Sequence, residues 1–162
     1  MRLAPAVAVV LLASCGGDDG PQDPPGTSTP VLRTFGYLQA IDLDRRTVSF
    51  DAAEFLEGDA ADRAARDDGS IGPNEQVPND YYVRNPDRIY ETLPLADQVV
   101  VTRLHCNGGC REGLPGGLTG LASSFAAQGV PTLADDYRGP HSQYWLTLER
   151  HEVTRIDEQY LP

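Results

Sequence analysis

The chain has 162 residues, with 13 Lys and Arg against 24 Asp and Glu, for a net charge of -11 at neutral pH. An excess of negative charge on that scale repels phosphate backbones and anionic lipid surfaces, which argues against a nucleic-acid partner and against electrostatic adhesion to a membrane. The three cysteines, Cys15, Cys106 and Cys110, are too few for a disulfide-dense scaffold.

The chain opens with one positive residue, Arg2, and an apolar run from Leu3 to Ala13. That run is well short of the ~20 residues a membrane-crossing helix needs, so it is expected to be the core of a signal peptide. It ends in Leu12, Ala13, Ser14 and Cys15, which match the lipobox of bacterial lipoproteins. Residues 1–14 are therefore expected to be removed, and the sulfur of Cys15 to carry lipid as the first mature residue. The competing reading is an ordinary secretory signal that leaves a free thiol near the same place. Residues 16–30, GGDDGPQDPPGTSTP, offer no apolar side chain to bury and are expected to be a disordered tether. As a flexible coil it would hold the domain about 20 Å from the lipid. Residues 31–162 amount to one globular domain, long enough to bury about two thirds of its unfolded surface.

Within that domain Phe35, Tyr37, Ile41 and Leu43 fall on alternate positions, the period of a half-buried strand. Asp44 to Arg46 make a turn, and Val48, Phe50 and Ala52 continue the alternation, which predicts a hairpin. Asp59 is placed to cap a short helix over Ala60 to Asp67, with an alanine face and Gly69 as its stop. Tyr81 to Val83 predict a short strand, Ile89 to Leu95 an alternating one, and the unbroken β-branched run Val99 to Val101 a central one. Leu118, Leu121, Ala122, Phe125 and Ala126 have helical spacing, with Thr119 as cap and Gly129 as stop. The chain closes on a second hairpin: Tyr144, Leu146 and Leu148 on one arm, a turn at Arg150 to Glu152, and Thr154 to Tyr160 on the other. The expected fold class is α+β, mainly β, an antiparallel sheet that curls or closes, with two short helices.

The combination of GYLQAIDLDRRTVSFDAAEFLEGDAA, PNDYYVRN and the terminal YWLTLERHEVTRIDEQYLP resembles an uncharacterised group of small secreted or lipid-anchored envelope proteins of Gram-positive type. The likeness covers most of residues 35–162 and rests on hairpin and loop patterns. It implies a small OB-like β-barrel in the cell envelope, with no assigned reaction. The segment His105 to Gly117 lies outside it.

That segment, HCNGGCREGLPGG, admits two chemistries. Outside the cytosol, Cys106 and Cys110 are expected to close a disulfide across three small residues, worth only about 2 kcal/mol by loop entropy. His105, Cys106 and Cys110 are alternatively soft ligands for zinc or copper, although a fourth ligand is missing. No Walker motif, dinucleotide fingerprint, EF-hand loop, G-x-S-x-G elbow or H-E-x-x-H is present, so no cofactor is called for. His105, His141 and His151 are scattered along the chain. Asp135 with Asp136, or Glu152 with Asp157 and Glu158, are the acid pairs a wall-active hydrolase could use, though a solvated charged face explains them more simply.

The stronger functional candidates are rings and amides. Asn79, Asp80, Tyr82, Asn85, Tyr144 and Trp145 combine flat apolar area with directional hydrogen bonding, as a glycan or protein partner requires. Strand alternation sends Tyr81 and Tyr82, and likewise Tyr144 and Trp145, to opposite faces. The resulting expectation is a lipoprotein on the outer face of the cell membrane acting as a binding or scaffolding module, with the acid-pair hydrolase, the metal site and a simple structural spacer as rivals. Mass spectrometry of the membrane-extracted protein is expected to find a mature chain beginning at Cys15 with an acylated sulfur; an unmodified Cys15 would contradict this.

Overall fold

The computed structural model describes residues 30–106, 109–126 and 139–161. Cys15, the tether as far as Thr29, Asp135 and Asp136 lie outside the described residues, as does the Gly129 helix stop. Seven strands and two helices follow in the order β1 (Val31–Asp42), β2 (Thr47–Glu57), α1 (Gly58–Asp67), β3 (Tyr81–Arg84), β4 (Tyr90–Cys106), β5 (Cys110–Gly116), α2 (Leu118–Ala126), β6 (Gln143–Glu149) and β7 (Glu152–Gln159).

Hydrogen bonding links these strands in the order β3-β2-β1-β6-β7-β4-β5, and β2 pairs in addition with β4. That last pairing turns the sheet back on itself, so β1, β2, β4, β7 and β6 form a ring while β3 and β5 hang from it as edge strands. All pairs are antiparallel except β4 with β7. The expected mainly β, α+β class with a closed sheet is what the chain adopts. Ring closure spends the hydrogen-bonding edges that an open sheet would expose.

The core fills the ring. Leu38, Val48, Phe50, Tyr144, Leu146, Val153 and Ile156 point inward from the strands, and α2 adds Leu121, itself fully buried. A smaller core lies outside the ring, where α1 sets Ala61 and Ala65 against Val77, with Leu56, Ile71 and Tyr82 around them. The alanine face expected of α1 is therefore real, and it allows close approach. The residue capping α1 is Glu57, with no side-chain hydrogen bond; Asp59 sits in the first turn instead, where its charge suits the positive end of the helix. Gly69, at φ 70°, takes the left-handed conformation that ends α1 and leaves Ser70 N bonded to Ala65 O. Thr119 likewise lies inside α2 rather than capping it.

Two strand expectations change. In β1, residues Leu38 and Ala40 face the consecutive residues Phe50 and Ser49, so Gln39 is an extra residue, a β-bulge. Inward pointing consequently passes from Gly36 and Leu38 to Ile41, whereas Phe35 and Tyr37 face outward, against the unbroken alternation expected. The valine run is central, as expected, with β7 on one side and β5 on the other; of its residues Val101 is buried and Val100 is 53% exposed. The segments around Leu95 and Val101 are moreover one strand, β4, which shifts register against β7 between Leu95 and Val100.

Gly36 is where β1 bends over the core. A Cβ added there would overlap the backbone carbonyl oxygen of Asp51 and lie 2.8 Å from the Phe50 ring. Gly36→Ala is expected to destabilise the fold by about 1–3 kcal/mol or more, since the obstruction is backbone that cannot rotate away; a denaturant midpoint unchanged from wild type would show that β1 has room to move.

Candidate functional site

On the outer face of the ring, cross-strand pairing puts Tyr37 of β1 opposite Asp51 of β2, and Asp51 opposite Tyr90 of β4. Directly paired residues share a face, so two tyrosine rings flank one carboxylate in a single row. Beyond this row β2 carries on to pair with β3. The chain leaving α1 and the chain linking β3 to β4 rise on either side and make the walls of a cleft of about 750 Å³. Its lining comprises Tyr37, Gln39 and Asp51 from the ring, Asp68 and Ser70 from the end of α1, and Tyr82 to Pro86, Arg88 and Tyr90. The size is that of a small-ligand site, but the walls are polar, which selects a polar ligand.

Each wall is fixed by hydrogen bonds. Asp51 is 3% exposed; its carboxylate accepts from Asn85 Nδ2 at 2.9 Å and from the Ile89 backbone N–H at 3.0 Å, tying the β3–β4 link to β2. Arg84 donates to Asp68 at 2.7 Å, and this hydrogen bond, with the charge behind it, raises the guanidinium pKa further above its ordinary value. Tyr82 OH donates to Asp68 at 3.3 Å and lies 2.9 Å from Ser70 Oγ. Gln39 reaches the cleft because the bulge adds a residue on the outward side of β1. Two buried atoms in this lining, Arg84 Nε and Asn85 Oδ1, find no hydrogen-bond partner among the described residues. Nδ2 of Asn85 is already committed to Asp51, so its Oδ1 is an acceptor in want of a donor.

Below the cleft and sharing its Ser70, Tyr82 and Val83 wall is a second hollow of about 290 Å³. It is floored by Ala65, Ile71 and Val77 and rimmed by Pro78 and Asn79.

The sequence-predicted residues divide among these places. Tyr82 and Asn85 line the cleft, Asn79 and again Tyr82 the hollow, and Asp80 is exposed on the turn between them. Tyr144 is withdrawn from the binding set, because it is fully buried in the core, with its hydroxyl donating to Gly139 O and its ring near Phe125. Trp145 faces outward, as alternation requires, but its neighbours are Phe35 and Phe55 at 5.1 and 5.9 Å, with Arg33 4.3 Å over its ring. Phe55 in turn stacks on Tyr81. Trp145 is absent from the cleft lining and belongs to an aromatic layer beside it.

Among the described residues the acid candidates Glu152, Asp157 and Glu158 do not converge. Glu158 is buried and accepts the Leu104 N–H at 2.8 Å, Asp157 on the opposite face of β7 holds Thr102 and Arg155, and Glu152 is exposed at the turn. Among the described residues, no three His, Cys, Asp or Glu side chains gather where they could hold a metal ion. Cys106 and Cys110 are direct cross-strand partners in the β4–β5 hairpin, and His105 pairs with Arg111. Strand β5 itself had no counterpart in the sequence reading, since CREGLPG lacks alternation.

Sequence reasoning missed Tyr37, Gln39, Asp51, Asp68, Ser70, Arg84, Arg88 and Tyr90. Tyr37 and Asp51 meet across the β1–β2 hairpin, but Tyr90 joins them only through the β2–β4 pairing, for which the sequence carries no local mark. Among the described residues no helix is long and apolar enough to cross a membrane. No family model, no curated protein and no solved structure matches the chain.

Asp51 must accept two hydrogen bonds at once, and an amide in its place would set its own N–H₂ against one of the two donors. Asp51→Asn is therefore expected to cost about 1–3 kcal/mol, read as a lowered urea midpoint together with faster amide exchange at Ile89; wild-type values of both would mean that the link is held by other contacts.

Proposed function

We propose that the chain is a bacterial cell-envelope lipoprotein, tethered through Cys15 to the outer face of the cell membrane, and that its cleft is a non-catalytic binding site for a glycan. The observation that carries the reading is the row Tyr37–Asp51–Tyr90, which opens into a cleft walled by amides, hydroxyls and arginines. Sugar rings have an apolar face and a rim of hydroxyls; tyrosines at the floor suit the first, and Gln39, Asn85, Arg84 and Arg88 suit the second. Tyr90 is 49% exposed, so its ring is accessible from solvent.

Two further points favour a saccharide. By fold-level analogy, small five-stranded OB-type rings bind oligonucleotides or oligosaccharides across the face of their second and third strands. The corresponding strands here are β2 and β4, the pair that carries Asp51 and Tyr90. A net charge of -11 disfavours the oligonucleotide and leaves the sugar. A tether of about 20 Å is suited to holding such a site just above the lipid, within reach of envelope polymers. The hydrolase alternative loses ground to this reading, because the acids within the cleft, Asp51 and Asp68, are each engaged in holding structure.

Calorimetry on the purified protein is expected to detect binding of a soluble β-1,4-linked tetrasaccharide. Replacing Tyr37 and Tyr90 together by Ala should weaken it about tenfold or more, corresponding to about 1.4 kcal/mol. Absence of binding by any such oligosaccharide, or affinity indifferent to the double change, would remove the glycan reading.

A further inference from the structure

The hollow beneath the cleft has an apolar floor and a polar lip, a division that the glycan reading by itself does not explain. From its hydrogen bonding we infer that this hollow receives the acetamido group of an N-acetylated amino sugar, which makes the N-acetylhexosamine unit the ligand class of the site. The inference rests on the proposed glycan-binding role of the adjoining cleft.

The direction of the protons at the lip is the core of the case. Asp68 is ion-paired with Arg84 at 2.7 Å, and a carboxylate so paired only accepts. Tyr82 OH gives its single proton to Asp68. The bond between Ser70 Oγ and Tyr82 OH, 2.9 Å long, must then use the proton of Ser70. Ser70 is left as an acceptor at the lip, suited to an incoming amide N–H. Across the opening Asn79 presents a carboxamide, whose N–H₂ can meet the carbonyl oxygen of the same group. It is held there by a left-handed backbone, φ 63°, a conformation that Asn adopts more readily than most residues.

Below the lip, Ile71 and Val77, backed by the fully buried Ala65, form a floor that can cover a methyl group. An acetamido group has these three features in the same order: an N–H donor, a C=O acceptor and a terminal methyl. A hydroxyl at the same ring position would leave the floor uncovered and lose the methyl contact. Because Ser70 and Tyr82 belong to both hollows, a ring seated over Tyr90 and Tyr82 can lower a short arm past them.

The test compares two neutral tetrasaccharides of the same linkage, β-1,4-linked N-acetylglucosamine and β-1,4-linked glucose, on the purified full-length protein by calorimetry. The acetylated ligand is expected to bind about tenfold more tightly. Ile71→Phe, which fills the hollow without entering the cleft, is expected to reduce its affinity to that of the glucose oligomer and to leave the glucose oligomer unchanged. Ser70→Ala, which removes the acceptor and no bulk, should narrow the preference in the same direction and stands in if the larger substitution fails to fold, as a thermal melt would reveal. Equal affinity of the wild-type protein for the two ligands, or a preference that survives both substitutions, overturns the acetamido assignment while the glycan reading stands. Failure of both ligands to bind overturns the two together.

Discussion

Closure of the ring depends on a single bare position. For β1 to pair with β2 on one side and β6 on the other while curling over Phe50, its backbone has to come against the Asp51 carbonyl, and only Gly36 permits that approach. Three residues further on, the bulge at Gln39 accentuates the bend and exchanges the inward and outward sets. Without this curvature β2 would not meet β4 between Thr47–Pro94 and Asp51–Tyr90, and Tyr90 would be parted from the Tyr37–Asp51 pair at the floor of the cleft. The same deformation that encloses the core thus brings the site together.

What the ring gathers, buried acids hold. Asp51 accepts the backbone N–H of Ile89, Asp62 that of Val77, and Glu158 that of Leu104, and each of these bonds joins two segments distant in sequence. A charged acceptor on a backbone N–H is among the stronger hydrogen bonds available, and it satisfies a donor that burial would otherwise leave orphaned. In a chain so rich in carboxylates these three are structural, which is a physical reason why scanning for acid pairs is uninformative here. The cleft acids are positioned by the fold and in turn position its walls.

The regular elements were largely legible because they follow local rules. The hairpin around Asp44 to Arg46, the alanine face of α1 and the helical spacing of Leu118, Leu121 and Phe125 appear where periodicity puts them, and the turn expected over Arg150 to Glu152 is there with Glu152 already in β7. The parity of β1 was not legible, since a bulge is a property of the strand pair and nothing in LQAI marks the extra residue. Val99 to Val101 did mark a central strand, but three β-branched residues look alike whichever face is covered, and Val100 is open. Tyr82 and Asn85 were legible as site residues from the company of rings and amides in NDYYVRN. Tyr144 and Trp145 satisfied the same criterion equally well, yet one is core and the other belongs to a separate layer; composition identifies ring-bearing strands without saying which side of them is free.

The aromatic layer of Phe35, Phe55, Tyr81 and Trp145 has an optical consequence. Trp145 is the chain's one tryptophan and sits outside the ring, between two phenylalanines and under the Arg33 guanidinium. Its emission therefore reports the seating of β2 and β3 on the flank of the molecule, whereas the interior, where Phe50, Tyr144 and Leu121 meet, contains no indole. A fluorescence signal from this protein is a spectroscopic window on the scaffold behind the cleft, and nearly silent about the packing at its centre.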